Sequence, residues 1–549
     1  MKNGLKKVVT MLLVCALATT FLAGCGDEPA ESQASSGTET ATGESTSGET
    51  TSGDPYAPIE GKDYTFTWIG YQVGPVDDDP IVIEHFEELL DCNIEVINIE
   101  NTRWDELLNI KLASGEIPDM IQVNSENHLN EYLKQEILAE IPDEAYQTHM
   151  PHAYEFNTSE RYSDYFDEGV IDGVRYGIAA GYQYFGEYRS ALVARGDWME
   201  NLGITEYPET LEDFEKLAYA FAKNDPDGNG QDDTYGISST AMDAVYGAFG
   251  SLALWYEGED SKLEYGPVRE GRKEALALLQ KWYADGVVDP EFITGENQGG
   301  YWAITHAFDQ GRIGISGHGS YYHWFNGASD PAYWATNALE ISKVNMDAAE
   351  SLAFLQPPVG PDGECGLPLG DLWSGKYVSF GKQLEEEPDK MGKLMEVLDY
   401  ICATDADTYL DAFLGLKGTM YTEIDPDKGA IFTEGYEDAT QRAAEGGANI
   451  LVPMSFIEFD ELRSVDTEWG RENGFADNGV RTKFRGTVPA YTEYGVEMDK
   501  ILDEGTLQII TGEKPIDYFD EMVDEWLKAG GQEYIDQVNE AYQEEQAAK

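Results

Sequence analysis

DYTFTWIG (63–70), IVIEHFEELLD (81–91), CNIEVINIE (92–100), RWDELLNIKLASG (103–115) and PDMIQV (118–123) follow one another almost without a break. The first alternates apolar and polar residues, the period of a half-buried strand. The second sets Ile81, Val82, His85, Phe86 and Leu89 at helical spacing. CNIEVINIE reads as a second strand. Trp104, Leu107, Leu108, Lys111 and Leu112 then fall in helical register up to Gly115, and PDMIQV is a third strand. The order β-α-β-α-β with short links predicts an open α/β sheet with helices on its faces. Ligands of such sheets sit beyond the carboxyl ends of the strands. Those ends carry Trp68 and Tyr71, Asn98 to Asn101, and Asn124 to Asn127.

Downstream, SALVARGDWMENLG (190–203), LEDFEKLAYAFAKN (211–224) and EALALLQKWYADG (274–286) open a second α/β region. Leu211, Phe214, Leu217, Ala218 and Phe221 line one helical face, and Thr210 with Asp213 resembles a capping box. Trp104, Trp198 and Trp282 sit on helical faces and are expected to pack cores.

Upstream, residues 1–24 read as a signal. Lys2, Lys6 and Lys7 precede an apolar run, Val8 to Phe21, too short to span a bilayer comfortably. Leu22-Ala23-Gly24-Cys25 resembles a bacterial lipobox, which implies that Cys25 is diacylated on its sulfur and becomes the mature N-terminus. Two acyl chains suffice for stable membrane anchoring. Residues 25–55 then run as GDEPAESQASSGTETATGESTSGETTSGDP after the cysteine. Such a Ser/Thr/Gly/Glu-rich segment buries too little surface to fold. As a flexible tether of about thirty residues it reaches roughly 30 Å.

The chain of 549 residues is 42% hydrophobic, enough for one large or two medium domains. Its formal charge of −68 argues against nucleic acid as a partner, because phosphate binding runs on Lys and Arg and the chain is short of both. The acidity is expected to serve mainly as a solvated surface. After the signal and Cys25, only Cys92, Cys365 and Cys402 remain; they match no zinc pattern and are expected to be buried small hydrophobes.

KLASGEIPDMI (111–121), DGVRYGI (172–178), ALVARGDWMENLGI (191–204), DPDGNGQDDTYGIS (225–238), LLQKWYADGVVDPEF (278–292), PPVGPDG (357–363) and LMEVLDYI (394–401) together resemble one family, the family 1 extracellular solute-binding proteins. These are the lipid-anchored sugar receptors of Gram-positive ABC importers. The likeness covers nearly the whole mature body, in order. It implies an α/β, two-lobed, periplasmic-binding-protein-like (type II) fold with a hinge and a cleft. Lobe one would take 56–185 and 370–445, and lobe two 190–365 and 450–549. Crossings would fall near YGIAAGYQYFGEY (176–188) and LPLGDLWSGKYVSF (367–380).

Within DPDGNGQDDTYG, Asp225, Asp227, Asn229, the Gln231 carbonyl and Asp233 stand at positions 1, 3, 5, 7 and 9 of a calcium loop, with Gly230 at the sharp turn. Hard oxygen ligands favour calcium over zinc. Position 12 is Gly236 where an EF-hand has a bidentate Glu; in calcium-bearing relatives the acid at position 9 does much of that work, often with another at position 10, here Thr234. The alternative is a metal-free Asp-Gly turn. With no partner helix evident after the loop, a bound ion would brace the fold structurally.

No HExxH, P-loop or GxSxG motif occurs, and GISGHGS (314–320) lacks the nucleophile-elbow spacing. The pairs His149/His152 and His318/His323 read as surface or hydrogen-bonded histidines. The chain is therefore expected to be a binder, with any transport energy supplied by a separate ATPase. Sugar receptors pair aromatic platforms with hydroxyl-directed polar groups. The candidate ligand contacts are Trp68, Tyr71 and Asn124 at strand ends, Tyr182 and Tyr184 at the first crossing, Tyr321, Tyr322 and Trp324 in SYYHWF, and Asp371 and Trp373 at the next crossing. The absent basic cluster favours a neutral oligosaccharide, although Arg103 or Arg189 could serve an acidic sugar. The expected protein is a monomer on the outer face of the cell membrane, delivering its glycan to the importer's membrane subunits. A receptor for peptides or another polar solute, and a glycan-binding adhesin, are the rival classes.

Overall fold

The computed structural model describes residues 53–70, 74–99, 103–258, 261–293, 305–370 and 372–548. The folded body begins at Asp54. Cys25, the tether up to residue 52, Tyr71 and Asp371 lie outside the described residues, as does the side chain of Tyr184; Asp54 and Pro55, expected in the tether, belong to the folded body.

The opening unit forms as its periodicity dictates. Strand β1 (Thr65–Ile69) buries Phe66 and Trp68, and helix α1 (Ile81–Leu90) returns the chain to β2 (Asn93–Val96), which lies parallel to β1. Helix α2 (Trp104–Ala113) leads to β3 (Met120–Val123), parallel to β1 on its other side. The buried face of α1 is Val82, Ile83 and Phe86, while Leu89, expected inside, is 51% exposed. The stripe is rotated by one position because Ile83, rather than Leu89, meets the sheet. Asp119 fastens the start of β3: its carboxylate accepts from the Thr67 backbone and hydroxyl at 2.8 and 2.9 Å and pairs with Lys390 at 3.1 Å.

The chain leaves this sheet after β4 (Ile178–Tyr182) and enters a second one at β5 (Val193–Arg195). There α3 (Leu211–Lys223) buries the five expected residues Leu211, Phe214, Leu217, Ala218 and Phe221, and Thr210 caps it by accepting from Asp213 N. Strand β6 (Tyr235–Ile237), helix α4 (Glu270–Ala284), β7 (Ile313–Ser316) and β8 (Leu352–Phe354) complete a sheet ordered β8-β5-β7-β6. Within it β6 and β7 are parallel and β5 is antiparallel to both neighbours. The chain then returns, and β9 (Trp373–Phe380) inserts antiparallel between β3 and β4, giving the order β2-β1-β3-β9-β4. Helix α5 (Pro388–Ala403) follows, and α6 (Pro489–Ile510) packs with α4 against the second sheet. The protein is α/β and two-lobed.

Residues 450–456, expected in lobe two, lie against the first sheet instead. Trp68 Nε1 donates to Ile450 O at 2.9 Å, Ser455 and Tyr182 exchange backbone and hydroxyl bonds, and Phe456 stacks on Phe156 at 4.4 Å. The segment stays because it supplies the aromatic lid of that core. Further on, Trp469 and Phe475 pack with Phe354 of the second sheet.

Trp104, Trp198 and Trp282 are buried, as their helical positions imply. Cys92, Cys365 and Cys402 are free thiols, and burial pushes Cys92 up to about 11 and Cys402 up to about 12. His149 lies between Asp54 and Glu396, and His152 binds Asp399 at 2.7 Å. Both are hydrogen-bonded side chains of the body's first layer.

Candidate functional site

Strand β9 runs antiparallel to β3, so its first residues stand beside the carboxyl end of β3. Gly375, at φ +76°, breaks the β9–β4 register between Trp373 and Lys376. This bulge re-aims the strand's start. Trp373 is then fixed in place: its Nε1 donates to Lys376 O at 2.9 Å, Tyr377 meets it edge-on at 5.1 Å, and Tyr165 lies 5.9 Å away. It is half-buried, so part of the indole remains available for stacking.

Around it opens a cavity of about 480 Å³. Asn124, at the end of β3, and Gln183, just after β4, contribute carboxamides; Glu126 and Glu168 contribute carboxylates. Arg485, Gly486 and Thr487 close one wall. They arrive from the segment that precedes α6. Thr487 hydrogen-bonds Glu126 through its hydroxyl and backbone, and the Arg485 guanidinium lies 4.8 Å above the Tyr165 ring. Burial, reinforced by the charge of Glu126, pushes the Glu168 carboxyl up to about 7, against the opposing pull of Arg485. Burial also raises Glu126, although much of its stem is open to solvent; the crowded carboxyl end decides the direction.

A larger depression, about 1380 Å³, lies on the second lobe between α3 and the 356–365 loop. Its cation Lys216 is already paired with Glu212 and Asp213, and it is an open surface groove. The cavity at the end of β3 is where aromatic, amide and charged groups converge.

The structure brings Asn124 and Trp373 together in that cavity. Four other candidates are packed away. Trp68 is buried and donates to Ile450 O. Tyr182 is buried, its hydroxyl on Asn157 at 2.5 Å and its ring on Tyr162. Tyr321 packs between Tyr188 and Phe475, and the buried Trp324 donates to His318 O at 2.8 Å. Trp68 and Tyr182 lie at strand ends and Tyr321 and Trp324 in a short turn after β7, yet all four side chains are buried. Tyr322 of the same run is half-buried, 4.0 Å from the His323 ring. Arg189 is wholly buried and serves backbone carbonyls, and Arg103 pairs with Glu106 on the surface. Tyr165, Glu168, Arg485 and Thr487 carry no signal in the sequence, since they lie in loops or a short turn without periodicity. Glu126 falls within the strand-end run Asn124 to Asn127, and Gln183 stands between two candidate tyrosines.

The Asp225–Asp233 loop turns as tightly as its glycines permit. Asp225, Gly228 and Gly230 all take positive φ, and Gly230 N donates to both Asp225 carboxylate oxygens at 3.1 and 3.2 Å. Asn229 Nδ2 bridges Asp227 (2.7 Å) and Asp233 (3.2 Å). Thr234 is buried and its hydroxyl donates to Phe221 O at 2.9 Å, so position 10 ties the loop to α3. Among the described residues no three His, Cys, Asp or Glu side chains stand at metal-binding separations. Asp227 and Asp233 converge on the Asn229 amide while Asp225 accepts from Gly230 N, and these hard oxygen donors suit a hard cation in the amide's place.

No family model matches the chain. Lipoprotein LipO of Bacillus subtilis is 24% identical over 493 residues, 85% of this chain and 90% of that protein. The polygalacturonan/rhamnogalacturonan-binding protein YtcQ of the same organism is 23% identical over 478 residues, 84% and 88% of the two chains. Among solved structures, the Streptococcus pneumoniae ABC-transporter substrate-binding protein FusA in complex with kestose superposes with a TM-score of 0.64 at 16% identity, covering 89% of this chain and all of that one. The same protein has been solved as an EF-hand mutant, with a TM-score of 0.60. These comparisons bear out the resemblance to the two-lobed solute-binding proteins of ABC importers, proteins that bind rather than transform their ligands.

Proposed function

We propose that this chain, whose relatives and structural neighbours are substrate-binding proteins of ABC importers, captures an oligosaccharide in the β3-end cavity and delivers it unaltered to an importer's membrane subunits. The observation that carries this reading is Trp373, half-buried and locked by Tyr377 and Tyr165 among carboxamides and carboxylates at the end of β3. A pyranose presents an apolar C–H face to such a ring and its hydroxyls to the surrounding polar groups. Asn124 and Gln183 are the polar partners we assign beside it; Tyr184 follows Gln183 and Asp371 stands two residues before Trp373, and Tyr71 and Tyr322 are further contacts of this proposal.

The cavity takes walls from both lobes, so a bound glycan bridges them and shifts the population toward the closed form. We place the lobe crossings at 183–190, 369–373 and 461–466, the last later than the sequence suggested because 450–456 stays with the first sheet. Cys25 would carry the lipid anchor that holds the body on the outer face of the membrane. Trp373→Ala is expected to weaken oligosaccharide binding about thirtyfold, roughly 2 kcal/mol, with little change in melting temperature. Calorimetric titration against a panel of oligosaccharides measures it. Unchanged affinity in the variant would remove the cavity from consideration, and tight binding of peptides in place of glycans would overturn the reading.

Asp225, Asp227, Asn229, the Gln231 carbonyl and Asp233 would hold one calcium ion, whose chemistry here is to neutralise three crowded carboxylates and brace the loop after α3. Calcium at one hundred times its dissociation constant is expected to stabilise the fold by about 2.7 kcal/mol. Asp225→Ala should abolish that gain. A melting temperature indifferent to both calcium and chelator would return the loop to an ordinary turn.

A further inference from the structure

Glu126 and Glu168 stand on different elements, a helix start and a loop, yet line one cavity with, among the described residues, a single cation, Arg485. Lys376, on the strand beside Tyr377, is not among the lining residues. Arg485 is engaged from two sides, above the Tyr165 ring and within the field of Glu168. A second observation points to a ligand in the same space. Tyr377 is wholly buried, lines the cavity, and its hydroxyl has no hydrogen-bond partner among the described residues. The charges of Glu168 and Glu126 both act on that hydroxyl, raising it further than burial alone does. Buried hydroxyls are normally paired, so an unpaired one lining a polar cavity marks a ligand position.

We propose that Glu126 and Glu168 are specificity-determining residues that admit uncharged saccharides and reject uronates, with the Tyr377 hydroxyl bonding a sugar oxygen. The proposal rests on the reading of this cavity as the glycan site. Two carboxylates repel a third inside a partly desolvated space, and one stacked guanidinium does not offset both. A neutral sugar meets no such penalty: its hydroxyls donate to the carboxylates and accept from Tyr377. The relative named for polygalacturonan and rhamnogalacturonan binding takes acidic glycans, so on this account the present chain differs from it in ligand charge.

The rejection also depends on pH, in a direction that the surroundings fix. Glu168 faces Glu126 from the 126–134 helix, Arg485 from the opposite wall, Glu545 from the C-terminal helix, and its neighbour Asp167. As pH rises through neutrality Glu168 loses its proton, so discrimination against uronates strengthens above pH 7 and relaxes below it.

The test titrates the mature chain with neutral oligosaccharides and with oligogalacturonates of matched length at pH 6 and pH 8. Glu126→Gln, Glu168→Gln and the double variant are titrated alongside, and melting temperatures check folding. The expected wild-type result is at least tenfold weaker binding of the uronates at pH 8, a gap that narrows at pH 6. In the double variant the ratio should shift at least tenfold toward the uronates and lose its pH dependence; Glu126→Gln, altered at an exposed side chain, keeps the test valid should Glu168→Gln fold poorly. Equal affinity for both classes in the wild type, or a ratio unmoved in the variants, overturns the charge selection and leaves the glycan site standing. Failure to bind either class overturns the site itself.

Discussion

Trp68→Ala will destabilise the first lobe by about 3–5 kcal/mol, the range for removing a large buried aromatic, and will leave oligosaccharide affinity nearly intact once the protein is folded. Trp68 is fully buried in β1 and its indole donates to Ile450 O at 2.9 Å. Gly70 is packed so closely against that carbonyl that a Cβ there would stand 2.7 Å from it. The alanine variant therefore leaves a cavity and strands a buried carbonyl, in a spot where the backbone has no room to collapse. Urea denaturation followed by tryptophan emission reads the loss, and titration with glycan reads the affinity. A variant of normal stability that no longer binds sugar would mean that Trp68 is a contact residue after all.

Arg189→Met is expected to cost about 3–5 kcal/mol as well, for a different reason. The guanidinium is wholly buried and donates to Asp477 O at 3.0 Å, Ser190 O at 2.9 Å and Leu355 O at 2.8 Å, above the Phe475 ring. Those carbonyls belong to residue 190, the residue after β8 and residue 477, so one side chain ties three separate passages of chain. Burial pulls Arg189 down to about 10, still far above neutrality, so it holds its charge throughout the working range. Methionine fills the volume but leaves three acceptors unpaired. The stability loss should appear in urea melts of both lobes together. An unaltered melt combined with lost affinity for acidic glycans would assign Arg189 to the ligand.

The sequence offers Trp68 as a candidate ligand contact and Arg189 as a residue that could serve an acidic sugar, and the burial of both side chains shows what a sequence can carry. Period-two and period-3.6 patterns identified β1, α1, β2, α2 and β3, and the capped face of α3, because burial acts on each element locally. The same patterns say that Trp68 ends a strand, but not whether its side chain faces the cleft or the core. That choice is made by residue 450, almost four hundred positions away. Asn124 could be read as the end of a strand, with Glu126 in the same run, and Trp373 as part of a chain crossing; the structure brings all three to one cavity. Glu168 and Arg485 could not, since each reaches that cavity only when segments distant in sequence are assembled. Likewise, Leu89 carried the right spacing on α1, yet Ile83 took the inner position.

We propose that a glycan is held between the lobes, touching both. Hydrogen exchange of the mature chain with and without a saturating oligosaccharide tests it directly. The account predicts slowed exchange at once in the segments around Asn124 to Glu126 and Trp373 to Tyr377 on one lobe and around Arg485 to Thr487 on the other, with the glycan recovered intact. Protection confined to a single lobe while the sugar is bound would contradict it.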